Sequence, residues 1–261
     1  MKSEFAVIIP VYNNLYKNPN YKVLVESWER YCKKYNIDLI LLEGEKDNTA
    51  EICFDRWVDF TPKKQYKRIL YVDGDTYVRK ETPNLFEEFE NNNFKIVAVP
   101  DQGGSGLYHL NQWKNFNLNW DITSLSYFNA GFISFPIDLF LKFQKLIPKY
   151  KDYYLKNKDM KFHPVGVGVE NGIRMDALDQ TGVNICIQKE IKELTLLQHE
   201  LNYQPVNHNH PELRIDKQIY TIDNRKKLNN LDFLNKGFIF HFGSSTVNRT
   251  NISEILDTQQ I

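Results

Sequence analysis

Two aspartates at the end of an apolar run carry the clearest chemical signal in the chain. Residues 69–72 are bulky, β-prone and apolar, which predicts a buried central strand. Asp73 and Asp75 follow directly, and because strand side chains alternate, both project from the same side, with Gly74 between them leaving room for a ligand. Adjacent carboxylates repel each other unless a proton or a cation lies between them, and their hard oxygens suit Mg²⁺ or Mn²⁺. We therefore predict a metal site here; the alternative is a pair of solvated aspartates in a turn.

Tyr12 and Asn13 are a second pair of candidates, in the loop that follows the first predicted strand, residues 5–9. The carboxyl ends of strands are where open α/β sheets bind their ligands. The Tyr12 ring could stack on a nucleotide base, and the Asn13 amide offers a donor and an acceptor to a base edge. An ordinary turn is the alternative explanation.

A later apolar strand, predicted over residues 127–135, is interrupted by Asn129 and Gly131. A polar side chain and a glycine inside a buried strand suggest close approach by a bound molecule. The preceding residues 100–126 are rich in Gly, Asn and aromatic residues, and a loop is also predicted over 158–173. Long loops of this kind often bind ligands or cover them. Aromatic side chains in residues 100–126 could stack on sugar rings, or they could only anchor the loop.

Two further positions are less informative when they are considered alone. Asp179 and Gln180 lie on a predicted helical turn. His241 lies in a late predicted strand over residues 237–242 and points away from its phenylalanine neighbours. A lone histidine in a strand is usually a hydrogen-bonded core residue, so its own environment does not identify it as a ligand.

Strands and helices alternate in the part of the chain that must position these residues. The predicted strands cover residues 5–9, 37–42, 69–72, 94–99, 127–135 and 237–242. The predicted helices cover residues 21–35, 49–60, 83–90 and 139–153. For the third helix we predict Thr82 as the N-cap and Pro83 at the first position. The βαβα order at the start predicts an α/β fold with a parallel sheet and right-handed crossovers.

The composition limits the classes of function. The chain has 261 residues, 42% of them hydrophobic, which is enough for one α/β domain with a substantial core. Its 33 basic and 33 acidic residues balance, so no overall field draws it to nucleic acid. The first apolar run is too short for a signal sequence or a membrane span, and the three scattered cysteines suggest reduced thiols. We expect a cytoplasmic protein with no membrane span.

Four of these segments, taken in order, resemble sequence patterns of the glycogenin-like retaining glycosyltransferases of family 8, which have the GT-A fold. Residues 69–75 (ILYVDGD) are similar to the family's strand followed by a DxD motif. Residues 128–131 (FNAG) match a second pattern, and residues 179–184 (DQTGVN) resemble DQxxLN with Val in place of Leu. Residues 239–243 (IFHFG) resemble the family's late strand with its histidine. Each pattern is weak alone, but the four in order are fairly specific.

The resemblance implies a single GT-A domain with a mixed, Rossmann-like central sheet flanked by helices. Residues 1–100 would form its nucleotide-binding half, residues 101–243 its acceptor and sugar half, and residues 244–261 a C-terminal tail. Its activity would be the transfer of a hexose from a UDP-sugar to a hydroxyl acceptor on a glycan, a protein or a lipid. The cofactor would be Mn²⁺, or Mg²⁺, with the metal ligands Asp73, Asp75 and His241.

The resemblance also implies roles for the remaining candidates. Tyr12 and Asn13 would lie near the base, and Arg56 would reach the donor. The residues around the transferred sugar would be Asn129, Asp179 and Gln180. Gln180 is a poor nucleophile, whereas a double displacement calls for a carboxylate. We therefore expect attack on the same face of the sugar through an oxocarbenium-like ion pair, with Asp179 and Gln180 positioning and stabilising it.

One family pattern is missing at the end of the chain. The family follows its late histidine with Gly and a Lys-Pro-Trp that clamps the diphosphate. Here the chain continues GSSTVNR over residues 243–249, without that lysine. Ser244, Ser245 or Arg249 could take its place.

Two other functions remain open. Residues 7–14 (VIIPVYNN) also resemble the start of the inverting transferases of family 2. An inverting enzyme would need a carboxylate base, such as Asp101 or Glu170. A catalytically silent module that binds a nucleotide or a sugar is the alternative of another class.

Overall fold

A computed structural model of the chain describes residues 3–62, 65–101, 126–157, 161–162, 173–174, 179–197, 219–220, 227–228, 239–241 and 252. Within these ranges the chain has a mixed α/β fold built on a six-stranded sheet in the order β2-β1-β3-β6-β5-β9. Its strands are β1 (Phe5–Pro10), β2 (Asp38–Leu42), β3 (Arg68–Val72), β5 (Ile96–Pro100), β6 (Phe128–Pro136) and β9 (Leu194–Leu196). Three two-stranded pairs join β4 (Thr76–Val78) to β12 (Ile239–His241), β7 (Lys161–Phe162) to β8 (Ile173–Arg174), and β10 (Ile219–Tyr220) to β11 (Lys227–Leu228).

The strand directions are mixed, as the resemblance implied, and not all parallel, as the βαβα order alone predicted. Strand β1 runs parallel to β2 and β3. Strand β6 lies between β3 and β5 and is antiparallel to both. A strand that is buried on both faces has the same apolar pattern in either direction, so its pattern could not reveal the reversal.

The helices cover both faces of the sheet. They are α1 (Pro19–Tyr35), α2 (Thr49–Asp55), α3 (Leu85–Asn91), α4 (Ile137–Leu146), α5 (Pro148–Asn157) and α6 (Gln180–Ile185), followed by a π-helix (Cys186–Ile191) and, earlier, a 3-10 turn (Leu15–Lys17). The side chains of β3 alternate between two apolar clusters. Ile69 and Tyr71 join the cluster that includes residues of α4 and α5, and Leu70 and Val72 join the cluster that includes residues of α1 and α3.

Three helix boundaries differ from the sequence predictions, each for a local reason. Helix α2 ends at Asp55, and the residues after it form turns. The N-cap of helix α3 is Asn84 and not Thr82, because the Asn84 side chain accepts a hydrogen bond from the amide of Phe86. The predicted helix over residues 139–153 is two helices, because Pro148 starts a new one. No helix in the described ranges combines the length and the apolar character that a bilayer crossing requires.

Candidate active site

The candidate residues converge at the edge of the sheet where β1 and β3 end. Strand β6 is antiparallel to β3, so its first residues lie beside the end of β3. The amide of Asp73 donates to the carbonyl of Gly131 at 3.0 Å, which continues this pairing past the end of β3. The topology thus brings Asn129 and Gly131 next to the aspartate pair.

Asp73, Asp75 and His241 form one cluster of possible metal ligands. Their ligand atoms all lie within 4.8 Å of one another. Strand β12 pairs with β4 so that His241 lies opposite Thr76, which places the imidazole beside the turn that carries both aspartates. His241 Nε2 is 3.0 Å from Asp75 Oδ1 and 3.7 Å from Asp73 Oδ2. The two carboxylates suit Mn²⁺ or Mg²⁺, and the imidazole adds a third possible ligand.

The two carboxylates also control the charge of the histidine. Burial lowers the pKa of His241, but Asp75 and Asp73 outweigh burial and raise that pKa to about 9. A proton on the imidazole and a bound cation are alternative ways to compensate the two carboxylates, because a ligand histidine must be neutral. His241 Nδ1 is buried and has no hydrogen-bond partner within the described part of the chain.

Gly131 allows the β6 backbone to approach this cluster. A Cβ atom at this position would lie 2.6 Å from Asp73 Oδ2 and 2.6 Å from His241 Cε1. Gly74 has a different role from the one its position suggested. A Cβ there would meet the carbonyl oxygen of Pro10 at 3.1 Å, so Gly74 permits packing against the end of β1.

Arg56 connects the metal-ligand cluster to Asp179. Its Nη1 forms an ion pair with Asp73 Oδ1, and its Nε and Nη2 donate to Asp179 Oδ2 at 3.2 and 2.9 Å. Burial lowers the pKa of Arg56, but Asp179 and Asp73 outweigh it and raise that pKa further. A buried guanidinium between two carboxylates therefore carries a permanent positive charge at this edge.

Asp179 has a second partner that the sequence did not indicate. The indole Nε1 of Trp57 donates to Asp179 Oδ2 at 2.7 Å. Burial raises the pKa of Asp179, and Arg56 and Trp57 act in the opposite direction. A tryptophan whose ring belongs to the apolar core does not look like a site residue in the sequence. Its position next to Arg56 was the only signal.

The side-chain amide of Gln180 is held at both ends. Its Oε1 accepts from the amide of Ala130 at 3.1 Å and from Asn129 Nδ2 at 3.3 Å, and its Nε2 donates to Asp101 Oδ2 at 2.9 Å. Asn129 Oδ1 in turn accepts from the amide of Gly131 at 2.7 Å. The start of β6, Gln180 and Asp101 therefore form one connected polar network.

Tyr12 and Asn13 contact the loop that follows β2, and Tyr12 also contacts the turn that follows α2. The Tyr12 hydroxyl donates to Asp59 Oδ2 at 2.7 Å, and Lys46 Nζ lies 5.3 Å from the centre of its ring. The Asn13 side chain donates to the carbonyl of Lys46 and accepts from its amide, at 3.0 and 2.7 Å. A base edge would have to compete with these two bonds, and the role of both residues in base binding stays a prediction.

Some candidates lie outside the described residues. They are Glu170, the segments 102–125 and 163–172, and Ser244, Ser245 and Arg249 in the segment after His241.

Comparisons with known proteins support the predicted fold. No family model matches the sequence, and no curated protein matches it. Among the solved structures that are similar over nearly the whole chain are three glycosyltransferases. A glycosyltransferase involved in the glycosylation of the major capsid of PBCV-1 has a TM-score of 0.52 and 11% identity, and the match covers 98% of this chain and 99% of that chain. Mouse xyloside xylosyltransferase 1 has a TM-score of 0.50 and 11% identity, with 93% and 98% covered.

The third similar structure is the galactosyltransferase LgtC in complex with donor and acceptor sugar analogues. Its TM-score is 0.51 at 12% identity, with 98% of this chain and 95% of that chain covered. At such low identity these likenesses show the fold alone. The chain has the GT-A fold of glycosyltransferases, so the predicted fold class is confirmed.

Proposed function

We propose that the chain is a metal-dependent glycosyltransferase that transfers a hexose from a UDP-sugar to a hydroxyl acceptor with retention of configuration. The observation that carries this proposal is the convergence of Asp73, Asp75 and His241 at the carboxyl edge of a GT-A sheet, with Arg56 joining them to Asp179. Burying a charged network costs free energy, and such networks are concentrated at functional sites.

The residues present fit a divalent metal. Two carboxylates and a histidine would hold it, and Gly131 leaves the space that their side chains need. A bound Mn²⁺ or Mg²⁺ would act as a Lewis acid and offset the negative charge on the departing diphosphate. Arg56 supplies a fixed positive charge from the protein side of the same edge, where a preorganised charge stabilises a developing anion.

The contacts of Gln180 favour retention without a covalent intermediate. An amide oxygen is a weak nucleophile, and this one already accepts hydrogen bonds from Ala130 and Asn129. Gln180 would instead hold a fixed dipole beside the sugar, and Asp179 would orient a sugar hydroxyl. The acceptor would then attack the sugar from the same face as the departing diphosphate, which retains the anomeric configuration. Retaining glycosidases reach the same outcome by a different route that uses two carboxylates.

The structural neighbours suggest the class of partner. They are a glycosyltransferase involved in the glycosylation of a major capsid, a xyloside xylosyltransferase, and a galactosyltransferase in complex with donor and acceptor sugar analogues. We propose that the acceptor here is likewise a hydroxyl of a glycan, a protein or a lipid-linked sugar.

Asp101 supports a second candidate, an inverting transferase. Its Oδ2 is 2.9 Å from Gln180 Nε2, so a carboxylate does lie within the proposed sugar site. As a base it would deprotonate an acceptor that attacks from the side opposite the diphosphate. The anomeric configuration of the product, read by NMR, separates the two mechanisms.

The first experiment is thermal unfolding with UDP alone, Mn²⁺ alone and both together. A ligand that binds only the folded state raises the unfolding midpoint, so we expect the largest rise when both are present. Asp75→Asn should abolish that joint rise, while Asp138→Asn, an exposed carboxylate on α4, should keep it. Turnover of UDP-sugars by the wild type then distinguishes an enzyme from a silent binding module. An unfolding midpoint of the wild type that stays the same when UDP and Mn²⁺ are added together would contradict the proposal.

A further inference from the structure

Trp57 is buried among aromatic rings and also contacts two charged residues: the Arg56 guanidinium lies over its ring, 4.6 Å from the centroid, and its Nε1 binds Asp179. Its side chain is fully buried in an aromatic group, with ring centroids 4.8 Å from Tyr71, 5.5 Å from Phe143 and 6.5 Å from Phe135. The only polar atom of the indole, Nε1, points out of this aromatic group and donates a hydrogen bond to Asp179 Oδ2. The aromatic layer of the core thus reaches the proposed sugar site through this hydrogen bond and through the contact of the Trp57 ring with Arg56.

The oxygen that Trp57 contacts is shared in an unusual way. Arginine and carboxylate groups commonly pair through two parallel hydrogen bonds, one to each oxygen. Here Arg56 Nε and Nη2 and Trp57 Nε1 all donate to Asp179 Oδ2. Asp179 Oδ1 accepts no hydrogen bond from any residue that the structure describes. The third donor explains this arrangement, because the indole N–H holds Oδ2 against rotation into the two-oxygen pairing.

The backbone around Trp57 is fixed by other contacts. The Tyr71 hydroxyl donates to the carbonyl of Arg56 at 2.8 Å, and Gln144 Nε2 donates to the carbonyl of Trp57 at 2.9 Å. Removal of the indole N–H therefore leaves the main chain of this turn, and with it the position of Arg56, anchored. The hydrogen bond to Asp179 can be tested separately from the fold.

We propose that Trp57 is a positioning residue of the sugar site. It keeps the Asp179 carboxylate bound to Arg56 through Oδ2 alone, so that Oδ1 stays available to accept a hydrogen bond from a hydroxyl of the transferred sugar. The proposal rests on the glycosyltransferase function proposed above. Without the indole N–H, Asp179 rotates toward two-oxygen pairing with Arg56 and its second oxygen is withdrawn from the sugar.

The decisive variant replaces Trp57 with 3-benzothienylalanine, which has nearly the shape of tryptophan but lacks the N–H. Loss of a hydrogen bond that orients a metal ligand typically costs about 10- to 100-fold in affinity or activity, and we expect a similar loss for the bond that orients Asp179. We expect a kcat lower by about that factor, a KM for the UDP-sugar within about threefold of the wild type and a nearly unchanged unfolding midpoint. Trp57→Phe should show the same loss of kcat with a lower midpoint.

Phe143→Leu is the matched control, because it loosens the same aromatic group and leaves the indole N–H in place. We expect it to lower the unfolding midpoint and to keep the wild-type kcat. Wild-type kcat in the benzothienyl variant would overturn the role of Trp57. A kcat that falls equally in Phe143→Leu would also overturn it, since packing alone would then explain the loss.

An activity-independent measurement separates failure of this inference from failure of the proposed function. The chain has four tryptophans, so its indole ¹H–¹⁵N spectrum is simple, and Trp57→Phe identifies the signal of residue 57. Asp179→Asn replaces the charged acceptor, so that signal should shift more than the other indole signals. An unshifted signal would overturn the positioning role. A wild type without any UDP-sugar turnover would instead contradict the proposed function.

Discussion

Gly131→Ala tests whether the close approach of β6 is what makes the metal site possible. The added methyl group would lie 2.6 Å from both Asp73 Oδ2 and His241 Cε1, and 2.8 Å from Asn129 Oδ1. Gly131 is not in the left-handed region, so the backbone accepts alanine and the whole effect is steric. Two of the three proposed metal ligands must therefore move.

The size of the movement follows from these distances. Ordinary van der Waals contact begins near 3.4 Å, so each of the two ligands must retreat by about 0.8 Å. Metal sites hold their ligand distances within about 0.2 Å, so a shift of this size disrupts coordination. We expect Mn²⁺ affinity to fall by at least about tenfold, whereas overpacking should cost only about 1–3 kcal/mol of folding stability.

Calorimetric titration of Mn²⁺ in the presence of UDP measures this loss, and thermal unfolding without ligands measures the folding cost. Gly74→Ala is the matched control. Gly74 lies between the two aspartates in sequence, but its added methyl group would press on the end of β1, where Pro10 O would lie 3.1 Å away, and on the side chain of Leu15 at 3.4 Å. Its Mn²⁺ affinity should fall much less. Wild-type Mn²⁺ affinity in a folded Gly131→Ala protein would refute the steric reasoning.

Two further predictions concern stability. Thr76→Val keeps the side-chain shape but removes two hydrogen bonds of the Thr76 hydroxyl, which accepts from the buried indole N–H of Trp28 at 3.0 Å and donates to the carbonyl of Asp73 at 2.6 Å. It should cost about 1–3 kcal/mol in urea denaturation, chiefly because the indole N–H is left without that acceptor; an unchanged urea midpoint would show that both bonds are dispensable. Partial burial raises the pKa of Glu90, but hydrogen bonds from Lys67 and Arg68 outweigh it and lower that pKa below its usual 4.5. The stabilisation is therefore present above pH 4.5 and is lost as the pH falls through the lowered value, so the thermal midpoint of Glu90→Gln should lie below that of the wild type at pH 7 and approach it in acid. A constant gap between the two proteins across this range would contradict the assignment.

The layered core was predictable because burial imposes a period on the sequence. Alternate residues of β3 enter the two apolar clusters, and the buried residues of α1, among them Leu24, Trp28 and Tyr31, recur at helical spacing. The position of the aspartate pair was predictable for the same reason, since it depends only on the strand before it. Helix ends were harder to predict, because several nearby residues can act as the N-cap, as Asn84 and Thr82 both can here.

The partners of these residues depend on the whole chain. Trp57 and Asp179 are 122 residues apart and meet through one hydrogen bond, which no local pattern of either segment indicates. Gly74 shows the same limit, because its position between two aspartates suggested a ligand, whereas its space is filled by the end of β1.

The sequence by itself determined which segments are buried, which strands end in polar residues and which side chains could bind a cation. The resemblance grouped His241 with the two aspartates, but only the tertiary structure decided that β6 runs antiparallel to β3 and that Arg56 joins Asp73 to Asp179. The physical reason is the range of the forces that each feature reflects. Periodicity records whether a residue faces water or the core, whereas the pairing of distant charges depends on how all the elements pack together.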